Sequence, residues 1–301
     1  MPAAEAAEPV PPEPVSPEPA PRELVLDRPD GARLALRVLP AAGQRRATVV
    51  LAHGWTMTEA SWRPVVERLR AARPDVAVVT YDQRDHGASR PAPGRSRASV
   101  RVLADDLAAV VQRAAAEGPV VLGGHSMGGM TLLALAGSRP DLVDDRVAGL
   151  LLVNTAAGGL RGHRPTAAVM RALAAAPPRV RVPRVPAPLA RRLGYGRGAP
   201  PDVVARVRDG VRAPTARSVG SWYLALLELD ETDSLPHLVD VPVTVLAGES
   251  DRLTPAGFAR RIAAELPAAE LEVVPGAGHM LPFEHPGLVA ARLLSLLPGP
   301  R

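Results

Sequence analysis

The pentapeptide Gly124-His125-Ser126-Met127-Gly128 sets a hydroxyl nucleophile between two glycines. It follows the apolar run Pro119-Val120-Val121-Leu122-Gly123 and precedes a helical pattern over 130–136. Strand, one-residue corner and helix in that order predict a sharp turn that projects Ser126 above a sheet. The glycines have a mechanical reason: two residues either side of so tight a bend, a Cβ would collide with the opposite arm. A serine hydroxyl is a weak nucleophile at neutral pH and needs a base within hydrogen-bond reach. That base in turn needs a carboxylate to set its tautomer. The chain supplies both types after Ser126. Asp251 lies in Gly248-Glu249-Ser250-Asp251-Arg252, past an apolar run over 241–247, and His279 lies in Gly276-Ala277-Gly278-His279, past a run over 271–274. Asp230, Asp233 and Asp240 are rival carboxylates, but none follows a clean strand end. Glu249 reads as a loop hydrogen-bond acceptor.

These residues need a scaffold that brings three strand ends to one rim. Apolar runs alternate with helical patterns along most of the chain, which predicts an α/β fold with a mostly parallel sheet flanked by helices. Residues 34–39 alternate apolar with polar and read as an early antiparallel strand. Ala47–Ala52, Val76–Tyr81 and Val147–Val153 are continuous and β-branched, as strands buried on both faces require. Helices are expected over 61–72 and 100–116, the second behind candidate caps Ser96 and Ser99. From about 155 to 235 the rhythm breaks into proline- and arginine-rich stretches with helical patterns at 201–211 and 217–229. It resumes with strand 241–247, helix 255–266, strand 271–274 and helix 286–297. The expected organisation is a Pro/Glu/Ala-rich disordered tail over 1–22, core segments over 23–154 and 236–301, and a helical cap inserted over 155–235. Open α/β sheets keep their sites at the carboxyl ends of the strands, where all three candidates fall.

Composition narrows the classes. Hydrophobic content of 47% and charged content of 22% over 301 residues suit a soluble globular chain. No apolar stretch reaches the roughly 18–20 residues of a membrane span, so no integral membrane segment is expected. The start lacks a basic and then apolar leader, from which a cytoplasmic location is expected. With no cysteine, thiol catalysis, disulfides and cysteine-ligated metals are excluded. All 36 basic residues are arginine, a pattern that reads as coding bias. Aromatics at 3% leave few stacking platforms, and no nucleic-acid partner is expected. Thirteen arginines, among them Arg161, Arg164, Arg179, Arg181, Arg184, Arg191 and Arg192, face only Asp202 and Asp209 between 155 and 217. Such a lid would steer anionic substrates or rest on an acidic membrane. Arginine bias on a solvated face is the plainer reading.

Taken together, the motifs resemble the α/β-hydrolase superfamily, in its cap-bearing, serine esterase- and lipase-like branch, over about residues 24 to 298. Besides the elbow the resemblance rests on His53-Gly54-Trp55, on Tyr81-Asp82-Gln83-Arg84-Asp85-His86-Gly87-Ala88-Ser89, and on Gly248-Glu249-Ser250-Asp251. It also rests on Gly278-His279, with Pro282, Glu284 and Pro286 trailing. It implies Ser126 as nucleophile, His279 as general base and then acid, and Asp251 as orienting carboxylate. The oxyanion would be held by the backbone N–H of Met127 at the start of the elbow helix and by that of Trp55. The superfamily has an Arg-Gly-His-Gly turn where this chain has Arg84-Asp85-His86-Gly87; aspartate tolerates a left-handed angle there. His53 is expected to shape the oxyanion loop, His125 to pack under it, and Asp82 to pair with Arg84. His163, His237 and His285 read as surface or cap residues.

The expected function is hydrolysis of a carboxylic ester or related acyl substrate, a small molecule, through an acyl-enzyme that requires no metal or organic cofactor. Serine at 126 disfavours epoxide hydrolysis and dehalogenation, whose related enzymes use aspartate. Cofactor-free perhydrolysis of the haloperoxidase type and carbon–carbon bond hydrolysis use the same triad. A ligand receptor with vestigial chemistry is the non-enzymatic alternative.

Overall fold

A computed structural model describes residues 19–94, 97–160, 164–183, 186–196, 199 and 214–299. Residues 1–18 of the expected tail, Ser96, Arg161, His163, Arg184, the helical pattern at 201–211 and both Asp202 and Asp209 lie outside them.

Eight strands form one sheet: β1 (Arg22–Asp27), β2 (Arg33–Leu39), β3 (Ala47–Ala52), β4 (Val76–Tyr81), β5 (Val120–His125), β6 (Val147–Val153), β7 (Val243–Gly248) and β8 (Glu270–Val274). Their order is β1-β2-β4-β3-β5-β6-β7-β8. β2 runs antiparallel to β1 and β4, and every other pairing is parallel. β3, β4 and β5 are buried at every residue because neighbours hydrogen-bond both edges and helices cover both faces.

The helices are α1 (Arg63–Ala72), α2 (Val100–Ala114), α3 (Met127–Ser138), α4 (Pro140–Arg146), α5 (Arg164–Ala175), α6 (Ala187–Gly194), α7 (Ala216–Leu227), α8 (Gly257–Glu265), α9 (Leu281–Glu284) and α10 (Pro286–Ser295). Side chains alternate across each strand. Val50 and Ala52 of β3 therefore join the core under α2, α3 and α8, while Val49 and Leu51 join the core under α1 and α10. Between β6 and β7 the described residues contain α5, α6 and α7, with strand-like pairing limited to isolated bridges such as Arg181 with Thr215.

Several elements differ from the sequence expectation. β1 starts at Arg22, inside the stretch read as tail. Its alternating, largely exposed residues and edge position leave little apolar signal. The helix expected from 61 opens as a 3-10 turn over Glu59–Trp62, and α1 follows with Pro64 in its first turn. β7 begins at Val243 rather than 241, because Pro242 has no N–H to give the ladder. Arg84 does not pair with Asp82. It forks onto Asp106 of α2, with Nε and a terminal nitrogen each 2.8 Å from a carboxylate oxygen, and also meets Asp30. Asp82 instead accepts from the backbone N–H groups of Glu59 (2.8 Å) and Ala88 (2.7 Å). A carboxylate surrounded by loop amides needs no cation.

Candidate active site

Ser126 occupies the single corner between β5 and α3 at φ 53°, ψ −117°. Its N–H donates to the Val153 carbonyl of β6 at 2.9 Å, and its own carbonyl accepts from Met130 N (3.1 Å) and Thr155 Oγ1 (2.8 Å). These bonds hold a backbone conformation that an L-residue otherwise avoids. A Cβ on Gly124 would lie 2.5 Å from Gly129 N, across the bend as expected. On Gly128 it would lie 2.0 Å from the Ala52 carbonyl oxygen, so that glycine is required by neighbouring β3 rather than by the opposite arm.

Asp251 follows β7 in a tight turn. Its Oδ1 accepts from Leu253 N (2.8 Å) and Thr254 N (3.0 Å), and Thr254 Oγ1 lies 2.8 Å from Oδ2. His279 Nδ1 is 2.7 Å from Asp251 Oδ2. Burial works to raise the Asp251 carboxyl, but the electrostatic pull of His279 and the bonds from His279 and Thr254 outweigh it and hold the group below its ordinary range. An ionised carboxylate only accepts, so Nδ1 of His279 is the donor in this bond. Ser126, Asp251 and His279 are all buried at the carboxyl ends of β5, β7 and β8. Asp230, Asp233 and Asp240 are exposed and do not meet His279. No hydrogen bond joins the Ser126 hydroxyl to His279 among the described residues. In unliganded sites that bond is commonly long and tightens around substrate.

Thr254, His125 and Asn154 have polar roles here that the sequence reading does not single out. His125, expected only to pack, donates from Nε2 to the His279 carbonyl at 2.7 Å, with ring centroids 4.9 Å apart. Burial above all pushes its pKa down to about 3, so it is neutral. Asn154 directly follows β6 at φ 47°, an angle asparagine tolerates. Its Nδ2 donates to the Gly278 carbonyl (2.7 Å) and its Oδ1 accepts from Gly248 N (3.2 Å), which ties the aspartate loop to the histidine loop. The available signal was a polar residue directly after a fully apolar strand.

Among the described residues, neither the Trp55 nor the Met127 backbone N–H donates a hydrogen bond. The Trp55 ring lies 5.5 Å from that of Tyr223 on α7. His53 donates from Nδ1 to the Gly54 carbonyl (2.8 Å) and accepts at Nε2 from Gln83 N (2.9 Å), which fixes the loop that carries Trp55. Asp85 takes φ 64°, the left-handed angle expected where the superfamily has glycine. Glu249 accepts from Gly276 N at 2.9 Å. A cavity of about 440 Å³ beside Asp251 is bordered by Arg191, Arg192 and Arg252.

A mostly parallel eight-stranded sheet carrying a serine at a strained strand–helix corner defines an α/β hydrolase. The chain belongs to the alpha/beta hydrolase family, whose pattern matches residues 49–292. It is 30% identical over 243 residues to 2-(acetamidomethylene)succinate hydrolase from Mesorhizobium japonicum, covering 75% of this chain and 79% of that one. It is likewise 30% identical over 274 residues to lipase LipV from Mycobacterium tuberculosis, covering 85% and 94%. Among solved structures it is similar to a thermophilic esterase from Thermogutta terrifontis, at 26% identity and TM-score 0.72, over 92% of this chain and all of that one. No helix among the described residues is long and apolar enough to cross a membrane.

Proposed function

We propose that this α/β hydrolase is a serine hydrolase that cleaves a carboxylic ester of a small molecule. Ser126 Oγ attacks the acyl carbon while His279 Nε2 takes its proton, and Asp251 stabilises the imidazolium that forms. The negative oxygen of the tetrahedral intermediate accepts from the free N–H groups of Trp55 and Met127. His279 then protonates the departing alkoxide, which leaves Ser126 acylated. Water, deprotonated by His279, attacks the acyl carbon, and the acid departs as Ser126 regains its proton. Residues 155–235 act in this reading as the cap, with Tyr223 of α7 against Trp55 as one wall of the acyl pocket.

The observation that carries the proposal is the 2.7 Å bond between His279 and Asp251 on the rim where Ser126 turns. The test is a p-nitrophenyl ester series of increasing chain length on the wild type and Ser126→Ala. Short esters are expected to be hydrolysed by the wild type, and the variant to lose roughly 10³-fold or more. Equal rates in the two proteins would reject the assigned nucleophile.

A further inference from the structure

Every backbone polar group around His279 has an identified partner. The Gly278 carbonyl accepts from Asn154 and the His279 carbonyl from His125, each at 2.7 Å. The His279 N–H donates to the Gly194 carbonyl at 2.9 Å. The two remaining N–H groups converge on one carboxylate: Gly278 N donates to Glu284 Oε2 at 3.0 Å and Met280 N to Glu284 Oε1 at 3.0 Å. A third donor to Glu284 is the Gly196 N–H, at 2.8 Å from Oε2, although Gly196 lies 88 residues earlier. It belongs to the segment that follows α6, between β6 and β7.

The two segments also touch directly. A Cβ on Gly196 would lie 2.2 Å from the Gly276 carbonyl oxygen, and one on Gly278 would lie 2.3 Å from Gly196 N. Tyr195 is buried between them, with Met280 and Phe283 packed against it. Three charge-assisted bonds to one carboxylate are stronger than neutral ones and fix geometry from three directions.

We infer that Glu284 is a positioning residue for His279, one that locks the base loop to the inserted segment at 194–196, so that the imidazole is held in place only while that segment is docked. The inference rests on the reading of His279 as the base. Glutamine at 284 has one acceptor oxygen and presents an NH2 where an N–H must be received, so at least one of the three bonds fails. A shift of about 1 Å at a reacting group costs on the order of 10²-fold in rate.

The experiment uses the full chain with p-nitrophenyl acetate and, separately, amide hydrogen exchange without substrate. Glu284→Gln is expected to lower kcat about 10- to 100-fold with KM little changed. It should also speed exchange together in the peptides covering 194–196 and 276–280. Gly196→Ala, whose Cβ would lie 2.2 Å from the Gly276 carbonyl oxygen and 2.8 Å from Glu284 Oε2, wedges the same contact from the inserted segment's side while the glutamate and the candidate triad keep their identities. It should reproduce both effects and serves if Glu284→Gln does not fold. Wild-type kcat in both variants, or faster exchange confined to 276–280, would overturn the inference. If the wild type leaves the ester intact, the esterase reading fails, and the exchange comparison still decides the coupling.

Discussion

At the scale of single residues, the candidate site stands on a few particular contacts. Asp251 is the carboxylate that meets His279 Nδ1. Asp251→Asn presents either an amide oxygen or an NH2, and the NH2 would force the proton of His279 onto Nε2. A fall of about 10³–10⁴-fold in kcat on p-nitrophenyl acetate is expected, with an unchanged circular dichroism spectrum. A loss below tenfold would show that another carboxylate serves. Gly128 admits no side chain, because a Cβ would sit 2.0 Å from the Ala52 carbonyl oxygen. Gly128→Ala should therefore cost about 1–3 kcal/mol in urea unfolding as the elbow or β3 gives way. Ser126, Asp251 and His279 are legible in sequence because each stands beside small residues at the end of an apolar run. Asn154 and His125 are not: Asn154 is marked only by its place directly after an apolar strand, and the sequence does not show which distant loop either side chain braces.

Whole elements repeat that contrast. β3, β4 and β6 have the bounds expected from their runs, because burial on both faces demands unbroken apolar sequence. β1 is invisible by the same logic: an edge strand with exposed Arg22, Glu23 and Val25 carries little of that signal. Partner choice among charges is equally hidden, as the Asp82–Arg84 expectation shows. The loop after β4 is anchored to α2 through Arg84 and Asp106, which are 5% and 1% exposed, and Arg28 Nε donates to the same Asp106 at 2.8 Å. Removing Asp106 takes away both bonds of the fork and leaves buried Arg84 with only the more exposed Asp30 as a counter-charge. Asp106→Ala is expected to cost about 3–5 kcal/mol in urea unfolding. A change under 1 kcal/mol would mean that water reaches Arg84.

For the molecule as a whole, acid lability follows from three buried neutral histidines. Burial is the main cause in each, lowering His53 to about 4 and His86 and His125 to about 3. Unfolded histidine titrates near 6.5. The unfolded chain therefore binds protons that the folded one refuses, and stability present above about pH 6.5 drains away as pH falls towards 3–4. Asp82 and Asp85, pushed up by burial, work in the opposite sense, but from the lower carboxylate range. The urea midpoint should drop between pH 7 and pH 5.5, by about 1 kcal/mol of stability per histidine. A flat midpoint over that interval would contradict the burial of these rings.

The most direct measurement is intact-mass analysis and peptide mapping after exposure to a fluorophosphonate probe, which reacts with a serine only when a neighbouring base has activated it. One adduct per chain on Ser126, formed by the wild type and abolished by His279→Ala, is the predicted result. An adduct on another residue, or undiminished labelling of Ser126 without His279, would contradict the account.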